Sequence, residues 1–467
     1  MAKKKAALSR LARERRAQSR GLLLFSLSLA LVKIFWLASK EGRGLLGADG
    51  ENYLDALDGL LADGFFSDRG NLSYWPAGYP ILMWPLAVIS QSNLAFIVGI
   101  IQSLIFALAI WFFANELSAT SLKRFAWPAM LILSLSPTLS LNSVVIGYEV
   151  TSASLFILAI SLFLRQVRLN KSSTLNWENS LAAFAIAISC FMQPRILLLA
   201  LGILIPFAIY QYRGKAIPLF LAFSLSIVAI APAIMIFRNV QANGYAAIST
   251  NLGITMYIGA GPGATGGYVS KPIGVPCEEI TGNAAEKDSH KVGCVLKWYL
   301  NNPGESARLF LNKFQFHWSP WFGPLANGTM ARNPWLQFHP FAETSKTEDG
   351  FRVVYGATGK VISWAWVLGS LALLAYGFLA LRRRGGVSTL LAWSLLIPVV
   401  LNTASSMGTI GDHRFRIPTL TLSILLQLFG LYAIFSRKSF KQGLDGQVRL
   451  AQGLNWKARG QGDNLQP

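Results

Sequence analysis

The sequence is poor in charged residues, histidine and cysteine. Charged side chains make up 14% of the 467 residues, against about 25% in soluble domains, which argues against an ordinary soluble protein. The four histidines are scattered along the chain and predict no metal site. Of the three cysteines, Cys190 lies in an apolar run and is expected to be a small buried residue.

Long apolar runs dominate the sequence instead. Hydrophobic residues make up 53% of the chain, and the mean hydropathy is +0.42. Several runs approach the ~20 residues that cross a bilayer as a helix. The sequence therefore predicts an all-α polytopic membrane protein with about ten transmembrane helices, an acidic first outer loop and a larger outer loop domain. The predicted spans are about 21–39, 94–116, 125–141, 144–165, 178–193, 195–211, 216–237, 361–381, 387–406 and 416–435.

The net charge of +20 is concentrated beside the apolar runs. Lysines and arginines precede the first run and recur at every second connection, which is the positive-inside pattern of cytoplasmic loops. This placement favours membrane topology and contact with anionic lipids over nucleic-acid binding. Both termini are therefore predicted on the cytoplasmic side of a bacterial inner or plasma membrane, with the acidic loop outside.

The predicted topology divides the chain into five parts. Cys277 and Cys294 fall in the extracytoplasmic part, where oxidation is possible, and they predict a disulfide. The parts are a basic cytoplasmic N-terminal segment (1–20), the first half of the membrane domain (21–237) with an outer loop (40–78) that carries the candidate catalytic acids, an extracytoplasmic loop domain (238–360), the last spans (361–435) and a disordered cytoplasmic tail (436–467).

Acidic side chains concentrate in the first outer loop. Asp49 and Glu51 stand one residue apart where a helix is expected to begin, with Tyr53 one turn beyond Asp49. Asp49 can simply cap that helix, or the pair can hold a divalent cation, although two carboxylates do not define a metal site. Glu149 is predicted near the outer end of a span. A charge there costs ~2.5–3.5 kcal/mol and usually faces a functional site, unless the carboxylate reaches interfacial water.

Four arginines are predicted at the outer ends of spans: Arg195, Arg238, Arg414 and Arg416. Arginine on the outer side runs against the positive-inside bias, and guanidinium groups suit phosphate oxygens. We expect a phosphate at the membrane surface as their common partner. The simpler alternative is pairing with lipid headgroups or with the acidic residues of the same surface.

Four segments of the sequence match known motifs in order. They are Asp49-x-x-x-Tyr53 with Pro76-Ala77-Gly78-Tyr79-Pro80, Ser136-Pro137 with Glu149, Arg238-Asn239 with Asn251-Leu252-Gly253 and Gly259 to Gly266, and Arg414-Phe415-Arg416-Ile417-Pro418. As an ordered set they resemble the GT-C superfamily of integral-membrane glycosyltransferases. The nearest branch holds the protein O-mannosyltransferases and the lipid A aminoarabinose transferase. The chain departs from that pattern at Pro76-Ala77, in place of Pro-Pro or Arg-Pro, and at Gln193-Pro194-Arg195, in place of Arg-Pro.

The resemblance implies a hexosyl or pentosyl transferase of the EC 2.4 class. It would move a sugar from a polyprenyl-phosphate donor to a lipid, envelope glycan or protein acceptor on the extracytoplasmic face, with inversion. Asp49 is then the candidate base for the acceptor hydroxyl, with Glu51 and Glu149 as further catalytic candidates. No cofactor is certain and no metal ligand is assigned, but a divalent cation at the first outer loop is an option because some relatives use one. Donor-phosphate binding is expected at Arg195, Arg238, Arg414 and Arg416, and substrate binding at Tyr53, Tyr79, Asn239 and Asn251.

Other functions fit parts of the sequence. A multi-pass transporter or flippase for a lipid or glycan would explain the spans and Glu149, but many transporters show internal repeats with a site at the midplane, and no repeat is visible. A lipid-linked glycan polymerase or ligase would share the outer-facing chemistry and transfer a larger unit. A noncatalytic scaffold explains least. The formal G-x-G-x-x-G at Gly261 to Gly266 lacks a βαβ context and predicts a tight loop, not a nucleotide site.

Overall fold

The computed structural model describes residues 2–39, 49–171, 173–269, 273–318, 342–347, 350–355 and 357–435. The predicted tail 436–467 and the first part of the predicted outer loop, 40–48, lie outside the described residues. The first half of the chain consists of helices α1 (Ala2–Ala38), α2 (Gly50–Asp63), α3 (Gly78–Ile89), α4 (Leu94–Ser118), α5 (Ala126–Leu135), α6 (Pro137–Asn142), α7 (Glu149–Arg168) and α8 (Trp177–Met192).

The second half continues with helices and a short hairpin. Strands β1 (Ala342–Thr347) and β2 (Gly350–Tyr355) pair antiparallel, with Ala342 opposite Tyr355 and Thr347 opposite Gly350. This hairpin falls in the segment that the sequence predicts to be extracytoplasmic, where no strand was predicted. The helices are α9 (Leu197–Gln211), α10 (Ala216–Asn243), α11 (Leu252–Ile258), α12 (Ala284–Asn301), α13 (Pro303–Trp318), α14 (Ala357–Arg384), α15 (Gly386–Gly408) and α16 (Ile417–Phe435).

The helical, polytopic fold class is confirmed, but the count of about ten spans is not. Within the described residues, eight helical segments are long and apolar enough to cross a bilayer. The predicted span 125–141 breaks because Ser136 is extended at ψ 116° and Pro137 starts a new helix, which leaves α5 with 10 residues. At 1.5 Å per residue, α5 covers about half of a ~30 Å hydrocarbon core. Helix α8 has 16 residues and is also short.

Helix α7 forms the centre of the bundle. It packs against α4, α8 and α16, and most of its residues are buried. Its Phe163 ring stacks on Phe207 of α9 with centroids 4.0 Å apart. Such close packing of large rings, together with buried apolar area, fixes the relative positions of the helices. The two ends of α7 are therefore rigid reference points for the rest of the molecule.

The charges at the C-terminal end of α7 pair with one another. Arg168 donates from Nε to Glu116 of α4 at 2.8 Å, and Lys171 pairs with the fully buried Glu178 of α8. Glu149 lies at the opposite end of the same helix, about 30 Å away at 1.5 Å per residue. The basic end is the one that the sequence predicts to be cytoplasmic, so the acidic first loop lies at the other end of the bundle.

The segment between α10 and α14 contains its own small core. Helices α11 and α12 pack against each other, and Met256, Val295 and Trp298 are buried between the elements of this segment. A disulfide joins Cys277 to Cys294. Helix α12 begins with a capping box, in which the Asn283 side chain accepts from the Glu286 backbone N–H and Glu286 accepts from Asn283.

Candidate active site

Three charged residues from distant parts of the chain meet at the end of the bundle that carries the first loop. The Arg414 guanidinium Nη1 lies 2.8 Å from the Asp49 Oδ2, and its Nε lies 3.6 Å from the Glu149 Oε1. All three side chains are at least nine-tenths buried. The sequence predicts these residues on one surface, and the structure brings them into direct contact.

Each member of this cluster stands at a helix end. Asp49 occupies the N-cap position of α2, but its carboxylate makes no capping hydrogen bond and points to Arg414 instead. Glu149 is the first residue of α7, where the helix dipole favours a negative charge. Arg414 lies in a short 3-10 turn, His413–Arg416, directly before α16. Capping alone therefore does not account for Asp49.

Asp412 is a third carboxylate at this point and was not predicted as a site residue. Its Oδ1 accepts a hydrogen bond from the Arg414 backbone N–H at 2.8 Å. Burial raises the pKa of the Asp412 carboxyl, and the neighbouring Arg414 charge offsets part of that rise. The sequence contained a signal, because Asp412 stands two residues before the arginine that it orients.

A cavity of about 980 Å³ opens beside this cluster, which is a size typical of small-molecule sites. Its charged lining residues are Asp49, Asp288, Asp412, Arg195 and Arg414, whereas Glu149 is not among the lining residues. The remaining wall is largely apolar and aromatic: Tyr53, Tyr74, Trp75, Leu197, Leu198, Ile248, Leu252, Ile258, Tyr268, Ile410 and Phe415. The site therefore combines a few charges with an extended apolar surface.

Arg195 differs from the other cations of the site. All three of its guanidinium nitrogens are hidden from solvent and have no hydrogen-bond partner. The guanidinium group lies over the Phe415 ring, 3.8 Å from the ring centroid. A buried cation without a hydrogen-bonded anion is costly, and cation–π contact supplies only part of the compensation. Arg195 thus carries an unsatisfied positive group and is one of the residues that line the cavity.

Tyr53 and Tyr79 were both predicted to bind substrate, and the structure gives them different positions. Tyr53 lines the cavity, and burial, together with the charge of Asp49, raises its pKa well above the usual value. Tyr79 lies behind it, with ring centroids 5.0 Å apart. The Tyr79 hydroxyl donates to Gln102 at 3.0 Å and accepts from the Gly147 N–H at 2.9 Å. Tyr79 therefore positions the chain that leads into Glu149.

The first loop is closed against α8 by a glycine. A Cβ on Gly78 would lie 1.8 Å from the Phe191 carbonyl oxygen, so only glycine allows α3 to begin at this place. Asn251, the fourth predicted substrate residue, lines the cavity as the N-cap of α11. Its Oδ1 accepts a hydrogen bond from Ser249 at 3.3 Å. Asn251 is thus on the same wall as Tyr74 and Tyr268, two residues that the sequence analysis did not single out.

Arg238 and Asn239 do not line this cavity, which differs from their predicted phosphate and substrate roles. Arg238 is fully buried and donates to the carbonyl oxygens of Phe65, at 3.1 Å, and Ser67. Asn239 accepts from Arg238 at 2.6 Å and donates to the Ala247 carbonyl at 2.7 Å. Both residues therefore hold the backbone of the first loop to the end of α10.

Arg416 also departs from the prediction. Its Nη1 donates to the Trp318 carbonyl at 2.6 Å, and it lines a different cavity of about 530 Å³ with Trp318 and Trp366. Residues two apart in a helical turn do not share a face, so Arg414 and Arg416 point to different sides of the 3-10 turn. Sequence proximity could not show this separation.

Glu51 is exposed and lies away from the cavity. Asp49 is paired with Arg414, so the two acids do not form a donor set for a divalent cation. Among the described residues, one group of three potential ligands occurs, Cys277, His290 and Cys294, and its two sulfurs are joined as a disulfide. A divalent cation at the first outer loop stays a prediction.

The fold and the site together define a multi-pass helical membrane protein with a cavity lined partly by charged residues at one end of its bundle. No family model and no curated protein matches the chain. Three chains of solved structures match it. One is the archaeal oligosaccharyltransferase AglB from Archaeoglobus fulgidus, in complex with an inhibitory peptide and a dolichol-phosphate, with a TM-score of 0.46 and 13% sequence identity. The similarity covers 91% of this chain and 52% of AglB, so the chain spans about half the length of that structure. Likeness at this level assigns neither a family nor an activity.

Proposed function

We propose that the protein is a membrane glycosyltransferase of the GT-C type, which transfers a sugar from a polyprenyl-phosphate donor to an acceptor hydroxyl on the extracytoplasmic face. The observation that carries this proposal is a buried, unpaired Arg195 on the same cavity wall as the Asp49 carboxylate. The Arg195 guanidinium group can bind a phosphate, and the Asp49 carboxylate can accept a proton. The cavity holds both beside an apolar wall.

The phosphate is assigned to Arg195. Guanidinium groups bind phosphate oxygens through paired N–H donors. The Arg195 donors have no protein partner, and Arg195 is one of the residues that line the cavity. Arg414 is less available, because Asp49 and Glu149 already neutralise it. The distribution of charges therefore favours Arg195 as the main phosphate ligand and Arg414 as the residue that holds the carboxylates.

The lipid part of the donor is assigned to the apolar wall. Leu197 and Leu198 of α9 and Leu252 and Ile258 of α11 line the cavity next to Arg195. Leu198 and Leu252 are about half exposed, as expected of side chains that face a lipid chain and not a protein core. A polyprenyl phosphate would place its headgroup at the guanidinium group and its chain along these leucines.

Asp49 is assigned as the general base. In the proposed step the acceptor oxygen attacks the anomeric carbon, its proton passes to the Asp49 carboxylate, and the carbon–oxygen bond to the phosphate breaks. The departing polyprenyl phosphate keeps the bonding electron pair, and Arg195 stabilises its negative charge. Displacement from the face opposite the phosphate inverts the anomeric centre. Arg414 orients the Asp49 carboxylate at 2.8 Å, and Glu149 holds Arg414 from behind.

The test compares Asp49→Asn with Glu51→Gln in a strain that lacks the wild-type chain. Both variants remove one carboxylate from the start of α2, but Asp49 lines the cavity and Glu51 does not. Loss of a general base lowers the rate by roughly 10²–10⁴-fold. We expect membranes that carry Asp49→Asn to lose transfer of label from polyprenyl-phosphate sugars, at equal protein level, and membranes that carry Glu51→Gln to keep it. Normal transfer by Asp49→Asn would refute the assignment of the base.

A further inference from the structure

A second cavity lies in the outer segment, apart from the cluster of Asp49 and Arg414. It has a volume of about 480 Å³, within the range of small-molecule sites. One side is the glycine-rich backbone from Gly261 to Thr265, and the other is one face of α13. The cavity shares no lining residue with the Asp49 cavity among the described residues. It is therefore a separate place at which a ligand could bind.

The face of α13 that lines this cavity is chemically mixed. Arg308, Asn312 and Phe316 recur every fourth residue and lie on the same side of the helix. Glu305 joins them one turn before Arg308, and Trp298, Leu309, Gln315 and Lys360 also line the cavity. Trp298 and Phe316 are mostly buried and contribute a small apolar part of the lining. The amide and the carboxylate offer hydrogen-bond donors and acceptors.

The two cations of this wall are not neutralised by the protein. Within the described residues, neither the Arg308 guanidinium nor the Lys360 ammonium makes an ion pair or a hydrogen bond. Glu305 is the one acid among the lining residues, so the cavity carries a net positive charge. An anion with several hydroxyl groups satisfies this lining better than an apolar or cationic ligand, because it uses the cations, the amide and the rings together.

The glycine-rich backbone connects this cavity to the first one. Gly266 has φ +99°, and a Cβ there would lie 2.6 Å from the Asn312 Cβ, so the loop is pressed onto α13. The Gly266 carbonyl accepts a hydrogen bond from the Gly411 N–H at 2.9 Å. The neighbouring Thr409, Ile410 and Tyr268 line the Asp49 cavity. One short segment of backbone therefore separates the two cavities.

We infer that the second cavity binds an anionic saccharide. Aromatic rings cover the apolar faces of a pyranose, the amide and carboxylate bind its hydroxyls, and Arg308 with Lys360 binds a carboxylate or phosphate group on the sugar. The proposal that a saccharide binds here follows from the residues of this cavity alone. The further role of the cavity as the acceptor subsite rests on the proposed glycosyl transfer. In that role the second cavity would hold an acidic glycan acceptor. The terminal hydroxyl of the glycan would then lie on the other side of the glycine-rich backbone, beside Asp49.

The test is direct binding to the intact protein in nanodiscs, followed by saturation-transfer NMR. The probes are trigalacturonate for a carboxylate sugar, glucose 6-phosphate for a phosphate sugar, and maltotriose as the neutral control. We expect an anionic probe to bind and maltotriose to bind roughly ten- to hundredfold more weakly, the range for losing a charged hydrogen bond. The stronger anionic probe identifies which anionic group the site prefers. Equal binding of all three probes would overturn the inference.

Variants locate the binding. Arg308→Gln and Lys360→Gln should each weaken binding of the anionic probe about tenfold. Lys287→Gln removes the same charge from an exposed position of α12 outside the cavity and should have no effect. Asp49→Asn should also bind normally, which separates this inference from the proposed transfer. Unchanged binding in the Arg308→Gln/Lys360→Gln double variant, or preferential binding of an acidic hexapeptide over the sugars, would contradict a saccharide site here.

Discussion

Replacing Arg414 by glutamine should destabilise the whole protein strongly. The guanidinium group lies between Asp49 and Glu149 at 2.8 and 3.6 Å, and the side chains of the two partners are 8% and 2% exposed. Removing one partner of a buried ion pair costs about 3–5 kcal/mol, because the remaining charge stays buried without compensation. Asp49 lines the cavity, where water can hydrate its carboxylate. We therefore expect a loss in the free energy of unfolding near the lower end of this range, most of it from the unpaired charge of Glu149.

The exposed pair of Arg69 and Asp63 provides the matched control. Their atoms are 2.9 Å apart, but the side chains are 71% and 40% exposed, and such pairs contribute about 0–1 kcal/mol. Thermal unfolding in one detergent should therefore show a much larger fall in midpoint for Arg414→Gln than for Arg69→Gln. The Arg414→Gln/Glu149→Gln double variant should recover part of the loss, because it removes the unpaired buried charge. Equal midpoints for the two single variants, or a double variant that is worse than additive, would refute the buried cluster.

Three further predictions concern residues outside the cavity. Arg238→Gln should make the first loop more sensitive to limited proteolysis, because Arg238 donates to the Phe65 carbonyl and to that of Ser67; an unchanged cleavage pattern would contradict this anchoring role. Burial lowers the pKa of the Lys313 ammonium group in the folded protein to about 7. Between pH 7 and about 10 the unfolded chain therefore binds more protons than the folded chain, and the free energy of unfolding should rise with pH. In Lys313→Met this rise in unfolding midpoint should be absent. Reduction of the disulfide, whose cysteines are 17 residues apart, should lower stability of the outer segment by about 3 kcal/mol, and Cys294→Ser should then be insensitive to reductant.

Much of the membrane domain follows from patterns that are visible in the sequence. Apolar length and the alternation of basic connectors predict the helices and which of their ends lie together. The contact of Asp49, Glu149 and Arg414 follows from the same argument, because all three lie at helix ends on one side. The break at Pro137 was also open to prediction, since proline lacks an N–H and disfavours a helical conformation in the residue before it.

The roles of the arginines could not be predicted in the same way. Arg195, Arg238 and Arg416 all lie at this end of the bundle, but their environments depend on which carbonyls come near. Arg238 meets the first-loop backbone and Arg416 meets Trp318, whereas Arg195 meets an aromatic face and the cavity. The contacts of Arg238 and Arg416 join residues that are about 100 or more positions apart in the sequence. The contact of Arg416 also depends on the direction of a short turn. Charge patterns along the chain do not contain that information.

The proposal that Arg195 binds the phosphate of a polyprenyl-phosphate donor can be tested by measuring the binding of such a lipid. Native mass spectrometry of the purified protein with undecaprenyl phosphate measures the bound fraction without any knowledge of sugar or acceptor. Arg195 lies just before α9, and Arg213 lies two residues after the end of α9 and is exposed. Arg213→Gln therefore removes an equal charge beyond the opposite end of that helix. We expect Arg195→Gln to lower the apparent affinity for undecaprenyl phosphate at least tenfold, as for the loss of a charged hydrogen-bond pair, and Arg213→Gln to bind like the wild type. Equal binding by Arg195→Gln and the wild type would contradict the proposal.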